Sequence, residues 1–215
     1  MYVFNCIDKD KIVLNKHELE VVYCFKFLGV NIDNRLTFKQ HFEGITIKLK
    51  SSLVILSTLK NLVSLQCLRM VYFAFFQSIV EYACEIYGHK SIGSIAKIDA
   101  IQNKAMKIVY GKHTNVDRAL LANRIPRFKD IVRTRTCLFM FDAFKHQLPP
   151  GIQSLFILNR DVAIRHSKFS LYFKTQASNC QTFSTSLLSV GIKHWNSLPC
   201  EIKQIRSRHL FKKLV

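Results

Sequence analysis

The sequence predicts an α+β chain that is mainly helical: a short N-terminal β-hairpin region, a helical bundle and a small mixed C-terminal subdomain. Three observations predict it. Strand-like runs separated by Asp/Lys/Asn-rich turns fill the stretch up to about residue 32. From residue 37 the apolar residues recur three and four apart, the spacing of one helix face. Beyond Pro149 and Pro150 the pattern weakens into short segments rich in Ser, Thr and Asn. The expected divisions are 1–36, 37–150 and 151–215.

In chain order, "YVFNCI", "KIVL" and "EVVYCFKFLGVNI" read as strands. In "FKFLGVNIDNRLTF" a glycine, Gly29, interrupts the strand pattern of a chain with only 7 glycines. Glycine inside a strand loses packing and backbone entropy, so Gly29 marks a bend or a place where another backbone comes close. Thr37 is a candidate cap for a first helix carrying Phe42, Ile45, Leu49, Leu53, Leu56 and Leu59 on one face, with Lys39, Lys48, Lys50 and Lys60 off it. Ser64 opens a second, on which Leu68, Val71, Tyr72, Phe75, Ile79 and Tyr82 form an aromatic face, with Gly88 just past its end.

A third helix spans about 94–110, with Ile95, Ile98, Ile101, Ala105 and Ile108 inward, Lys97, Lys104 and Lys107 on another face, and Gly111 as its stop. Thr114 and Asp117 form a capping-box pattern for a short fourth. The fifth follows Pro126, pairs Phe128, Ile131, Leu138 and Phe139 with Lys129, Arg133 and Arg135, and stops at Pro149–Pro150. The ending "SVGIKHWNSLPCEIKQIRSRHLFKKLV" reads as a helix, a turn at Pro199 and a basic tail.

Charge narrows the partners. Thirty-two Lys and Arg stand against 14 Asp and Glu, a formal net charge of +18, which suits a polyanion such as nucleic acid. The longest apolar run, "MVYFAFF", falls far short of the ~20 residues of a membrane span. Seven dispersed cysteines without a C-x-x-C pair fit reduced thiols in an intracellular protein of nucleus or cytoplasm, not a disulfide frame or zinc site. No small-molecule site is suggested.

Catalytic and metal-binding patterns are missing. Asp8 and Asp10 in "DKDK" read as a solvated turn, and the eight histidines form no H-x-x-x-H or H-E-x-x-H spacing. What remains is a basic surface: Lys97, Lys104 and Lys107; Arg118, Arg124, Arg127, Lys129, Arg133 and Arg135; and Arg165, His166 and Lys168. Such groups pair with backbone phosphates while neighbouring aromatics stack on bases. The rival reading is a helical structural or protein-interaction module whose charge only solvates it.

At three landmarks the residues resemble one family. "FKFLGVNIDNRLTFKQHF" is similar to the segment directly after the catalytic palm in reverse transcriptases of non-LTR (jockey-like, LINE-type) retrotransposons, where a Phe-Leu-Gly strand forms the hairpin that grips the primer terminus. "IQNKAMKIVYG" resembles a helix of the region after that family's thumb, and "HWNSLPCEIK" with "FKKL" resembles its ending. The resemblance implies that 1–36 is a palm remnant with Phe27, Leu28 and Gly29 as primer-grip-like residues, that 37–150 is a thumb-like bundle, and that the partner is an RNA or DNA template-primer.

The family polymerises with palm aspartates that hold two metal ions. This chain has no adjacent Asp-Asp pair, and "MYVF" resembles the strand just beyond the catalytic hairpin. The expectation is a chain that starts after the catalytic centre, with no catalytic residue and no cofactor of its own. Magnesium belongs to the full-length polymerase, and a palm and fingers segment in another chain is the implied partner for synthesis.

Overall fold

The structure, a computed structural model, describes residues 12–14, 17–19, 22–162, 170–175, 177 and 179–215. The strand expected at "YVFNCI", together with Asp8, Asp10, Arg165, His166 and Lys168, lies outside the described residues. The architecture is α+β and mainly helical, as the periodicities predict. Strands β1 (Ile12–Leu14) and β2 (His17–Leu19) pair antiparallel, and β3 (Cys24–Phe27) pairs antiparallel with β4 (Val30–Asp33).

The β3–β4 register, Phe25 opposite Ile32 and Phe27 opposite Val30, leaves Leu28 and Gly29 as a two-residue turn. Both have positive φ, 45° and 84°. A turn with φ > 0 at both central residues matches the strand twist and favours glycine, which has no Cβ to clash. Gly29 is therefore the corner of a hairpin, not an interruption within a strand.

Asp33 ends β4 and starts the first helix. Its carboxylate accepts from the backbone N–H groups of Arg35, Thr37 and Phe38, at 3.1, 3.0 and 2.6 Å, and from the Thr37 hydroxyl at 3.0 Å. Burial works to raise this carboxyl's pKa, but the donors outweigh it and hold the group below its ordinary range. The N-cap of α1 is Phe38, at φ 58° and without a side-chain bond of its own; Thr37 Oγ1 accepts from the Lys39 N–H at 3.4 Å, and Asp33 fastens the turn before the helix.

Helix α1 (Lys39–Leu59) buries Phe42, Ile45, Leu49 and Leu56 on the predicted stripe. Ser64 caps α2 (Leu65–Tyr72) by accepting from the Cys67 N–H. The helix then passes through a π-helical turn, Phe73–Gln77, into α3 (Ser78–Glu81). A π turn takes one more residue than an α turn. The buried face therefore runs Leu68, Tyr72, Phe76 and Val80, while Phe75 and Tyr82, expected on it, stay exposed. The buried Ser52 hydroxyl of α1 donates to the Phe75 carbonyl (2.7 Å) of the widened turn.

After Ala83, at φ 50°, come α4 (Cys84–Tyr87) and α5 (Ile92–Tyr110), the latter capped by Ser91 and stopped by Gly111 at φ 109°. Asn115, one residue beyond the expected Thr114, caps α6 (Val116–Ala122), and α7 (Phe128–Phe144) follows. Proline does not end α7. Pro150 instead opens α8 (Pro150–Gln153), where its missing N–H costs nothing.

Two apolar cores result, and α7 serves both. Phe128, Ile131 and Val132 close the first, built on α1 to α6; Met140, Phe141 and Phe144 enter the second, with Trp195 at its centre. Around the second core lie α9 (Asn159–Val162), α10 (Gln181–Ser184), α11 (Leu187–Ser197), α12 (Cys200–Lys203) and α13 (Arg208–Leu214). Where short strands were expected, the described residues hold only the isolated bridge between Leu158 and Phe173.

Candidate nucleic-acid interface

Helices α1 and α5 pack side by side and run parallel. Residues Lys39 to Lys50 of α1 share a concavity with Ser91 to Lys97, and Leu53 to Thr58 share the next with Lys104 to Ile108. The concavities, about 500 and 560 Å³, follow one stripe of each helix and so form one groove. At 1.5 Å per residue, the span from residue 39 to 58 makes it about 28 Å long.

Five lysines line this groove: Lys39 and Lys50 from α1, and Lys97, Lys104 and Lys107 from α5. All five are exposed, and Glu43 is the one acidic side chain among the lining residues. Its floor is apolar, with Ile47 and Val54 largely open to solvent. Lysine offers a point charge on a flexible stem, suited to phosphate oxygens. The aromatic in the lining, Phe42, is buried, so the groove has no ring on which a base can stack. Such a lining has the charge and flexible donors that suit a sugar-phosphate backbone.

The arginines are placed differently. Arg127 donates to Asn103 Oδ1 and to Asp117 Oδ1, both at 2.6 Å, tying α7 to α5 and α6. Arg135 pairs with Glu81 at 2.9 Å. Glu81 in turn accepts from Gln77, whose side-chain oxygen accepts from Tyr72, and Tyr72 accepts from Gln102. Arg135 is thus the outer end of a buried hydrogen-bond chain. Arg118 and Arg124 are exposed on α6 and just after it.

Lys129 and Arg133 lie one turn apart on the exposed side of α7, close to His194. Burial first, then the charges of Arg133 and Lys129, lowers the His194 pKa. The His194 ring stands 6.2 Å from that of His89, and His89 Nε2 lies 2.9 Å from Thr136 Oγ1. Burial, with the charges of His194 and Lys90, pushes His89 down to about 4.

The structure therefore gathers Lys97, Lys104 and Lys107 and adds Lys39 and Lys50, which the reading of single helices left out. The signal for these two was the period on α1: 39, 43, 46, 50, 54 and 57 form a stripe. Their partners on α5 are some fifty residues away in sequence, and only tertiary packing joins them.

Phe27, Leu28 and Gly29 sit at the hairpin tip, away from the groove lining. Phe27 is 56% exposed and Leu28 75%. Phe25 and Phe27 share a sheet face with Ile32 and Val30, yet only the β4 pair is packed into the core. Among the described residues no group of three or more His, Cys, Asp or Glu side chains could hold a metal ion. No helix among the described residues is long and apolar enough to cross a membrane.

Comparison with known proteins points to the same family as the landmarks. Over 90 residues the chain is 33% identical to the probable RNA-directed DNA polymerase from transposon X-element of Drosophila melanogaster. It is 27% identical, also over 90 residues, to the RNA-directed DNA polymerase from mobile element jockey of the same organism. Each match covers 40% of this chain and 10% of the relative, so the chain corresponds to a small part of either protein. No family model matches, and no solved structure matches. Over that stretch, the chain resembles the RNA-directed DNA polymerases of jockey-like non-LTR retrotransposons.

Proposed function

We propose that the chain is a C-terminal part of a non-LTR retrotransposon RNA-directed DNA polymerase, and that it holds template and primer without joining nucleotides. The observation that carries this reading is the groove between α1 and α5, where five exposed lysines stand against one carboxylate. The backbone of an RNA–DNA template-primer is the partner that matches its charge and its want of an exposed ring for base stacking. Phe27, Leu28 and Gly29 are the primer-terminus contact in this proposal. Palm and fingers, with their magnesium, come from another segment or chain.

A fluorescence anisotropy titration with a labelled RNA–DNA hybrid between 50 and 200 mM salt tests the binding. The affinity is expected to fall steeply with salt, because each phosphate contact releases a condensed counterion. Absent or salt-independent binding would leave a helical structural or protein-interaction module instead. A primer-extension assay tests the rest. No incorporation is expected with magnesium or manganese, since the sequence has no adjacent Asp-Asp pair to hold two metal ions. Reproducible extension that disappears on replacing Asp8 and Asp10 with alanine overturns that part.

A further inference from the structure

The hairpin tip at Leu28–Gly29 is held from a distance. Along β4 the anchors are ordinary: Val30 is buried, Ile32 packs on the first core, and the Asn31 N–H donates to His41 Nδ1 at 3.4 Å. Strand β3 offers no such anchor, because the side chains of Phe25 and Phe27 stay mostly in solvent. The turn itself is gripped by one residue, Tyr82, fifty-four positions away. Its hydroxyl donates to the Leu28 carbonyl, and its ring lies against Gly29, where an added Cβ would meet Cε1 at 3.5 Å.

Tyr82 is fixed in turn. It ends α3, its backbone N–H donates to the Ser78 carbonyl at 3.2 Å, and its own carbonyl accepts from the Tyr87 hydroxyl at 3.2 Å. Tyr87 is fully buried against the rings of His41, Phe42 and Phe128. A line of contacts therefore runs from the first core through Tyr87 and Tyr82 to the hairpin corner. The π turn belongs to this device, because it rotates the face of the helix so that Tyr82 leaves the core and reaches the hairpin.

We infer that Tyr82 is a positioning residue that sets the angle at which Phe27, Leu28 and Gly29 are presented to a primer strand. This rests on the proposed reading of that turn as a nucleic-acid contact. Without the hydroxyl, the corner swings on β4 alone, and binding must then order it.

The test compares Tyr82→Phe with Tyr23→Phe, a control at another exposed tyrosine beside the hairpin. Backbone ¹⁵N relaxation reports the turn without any nucleic acid. Order parameters at Leu28 and Gly29 are expected to drop from about 0.85 to below about 0.6 in Tyr82→Phe and to stay high in the control. Affinity for the RNA–DNA hybrid is expected to fall about five- to tenfold, the worth of one hydrogen bond. The melting temperature should move by no more than about 3 °C, since the core is untouched. Unchanged order parameters overturn the inference, as does a disordered turn that binds with undiminished affinity. Wild-type protein that does not bind the hybrid sinks the functional reading alone, because the relaxation data still decide whether Tyr82 sets the turn.

Discussion

Replacing Lys50, Lys97 and Lys104 together with glutamine keeps the side chains long and removes three of the five positive charges that line the groove. If all five lysines meet phosphates, the logarithm of affinity for a duplex falls against the logarithm of salt with slope about −4.5, at about −0.9 per contact. Between 50 and 200 mM salt that is a loss of about 500-fold. Two remaining contacts give a slope of about −1.8 and a loss of about 12-fold over the same range. Anisotropy titrations at four salt concentrations measure both slopes. Arg135→Gln is the comparison, because Arg135 pairs with Glu81 and does not line the groove. It should weaken the fold without changing the slope. A triple variant with an unchanged slope refutes the reasoning, and so does an Arg135 variant whose slope drops by about one.

Three further outcomes follow from the packing. His89 titrates near 4 in the folded chain against 6.5 in the open one, so the unfolded state takes the proton first. Stability is complete above about pH 6.5 and falls by about 2 kcal/mol as pH drops to about 4, after allowance for partial solvent exposure. His89→Gln should flatten that part of the urea-midpoint profile, and an unchanged profile counts against it. Gly29→Ala should cost about 1–2 kcal/mol because a Cβ is strained at φ 84°, whereas Gly29→Asn should cost less; thermal melts giving the reverse order would exclude a turn at this position. Asn196→Ala strands the buried N–H and carbonyl of Phe173, to which Asn196 bonds at 3.0 and 2.9 Å. Urea unfolding followed by Trp195 emission should show a loss of about 2–4 kcal/mol, and a loss below about 1 kcal/mol would mean that water replaces the side chain.

Legibility in the sequence depended on how local the cause was. The stripe of α1, the Ser64 cap and the Gly111 stop are set by neighbours within one turn, and the structure keeps all three. Beyond α2, Ile79 packs on the first core as its spacing predicts, but Phe75 and Tyr82 turn outward because a π turn leaves no fixed mark in apolar spacing. The start of α1 falls one residue after the Thr37 read as its cap, because the Asp33 carboxylate reaches forward to bind the Thr37 and Phe38 N–H groups and holds Phe38 as the N-cap. Lys97, Lys104 and Lys107 were legible as a cluster, since one helix carries them. Lys39, Lys50 and Tyr82 were not, since each gains its meaning from a segment some fifty residues away. The arginines after Arg118 looked like one basic surface in sequence. Folding divides them, giving Arg127 and Arg135 carboxylate partners and leaving Arg133 in solvent beside His194.

The three landmarks that carry the family resemblance have different physical standing. In "HWNSLPCEIK", Trp195 is fully buried and its ring N–H donates to the Leu171 carbonyl at 3.0 Å. Asn196 clasps both backbone groups of Phe173, and the buried Lys203 ammonium donates to the Asn196 carbonyl at 3.2 Å and lies 3.5 Å from the Tyr172 ring centroid. With no exposed surface and these two contacts, Lys203 is part of the second core, and burial lowers its pKa. That landmark speaks for the fold of the second core. "FKFLG" is the opposite case, with Phe27 and Leu28 in solvent where packing asks little of them. "IQNKAMKIVYG" is both at once: Ile101, Ala105, Met106 and Val109 face the first core, while Lys104 and Lys107 face the groove. A shared fold accounts for the buried positions alone. Among the exposed landmark positions, Lys39, Lys104 and Lys107 line the groove and Phe27 and Leu28 form the hairpin tip, whereas Lys212 and Lys213 of "FKKL" lie on neither.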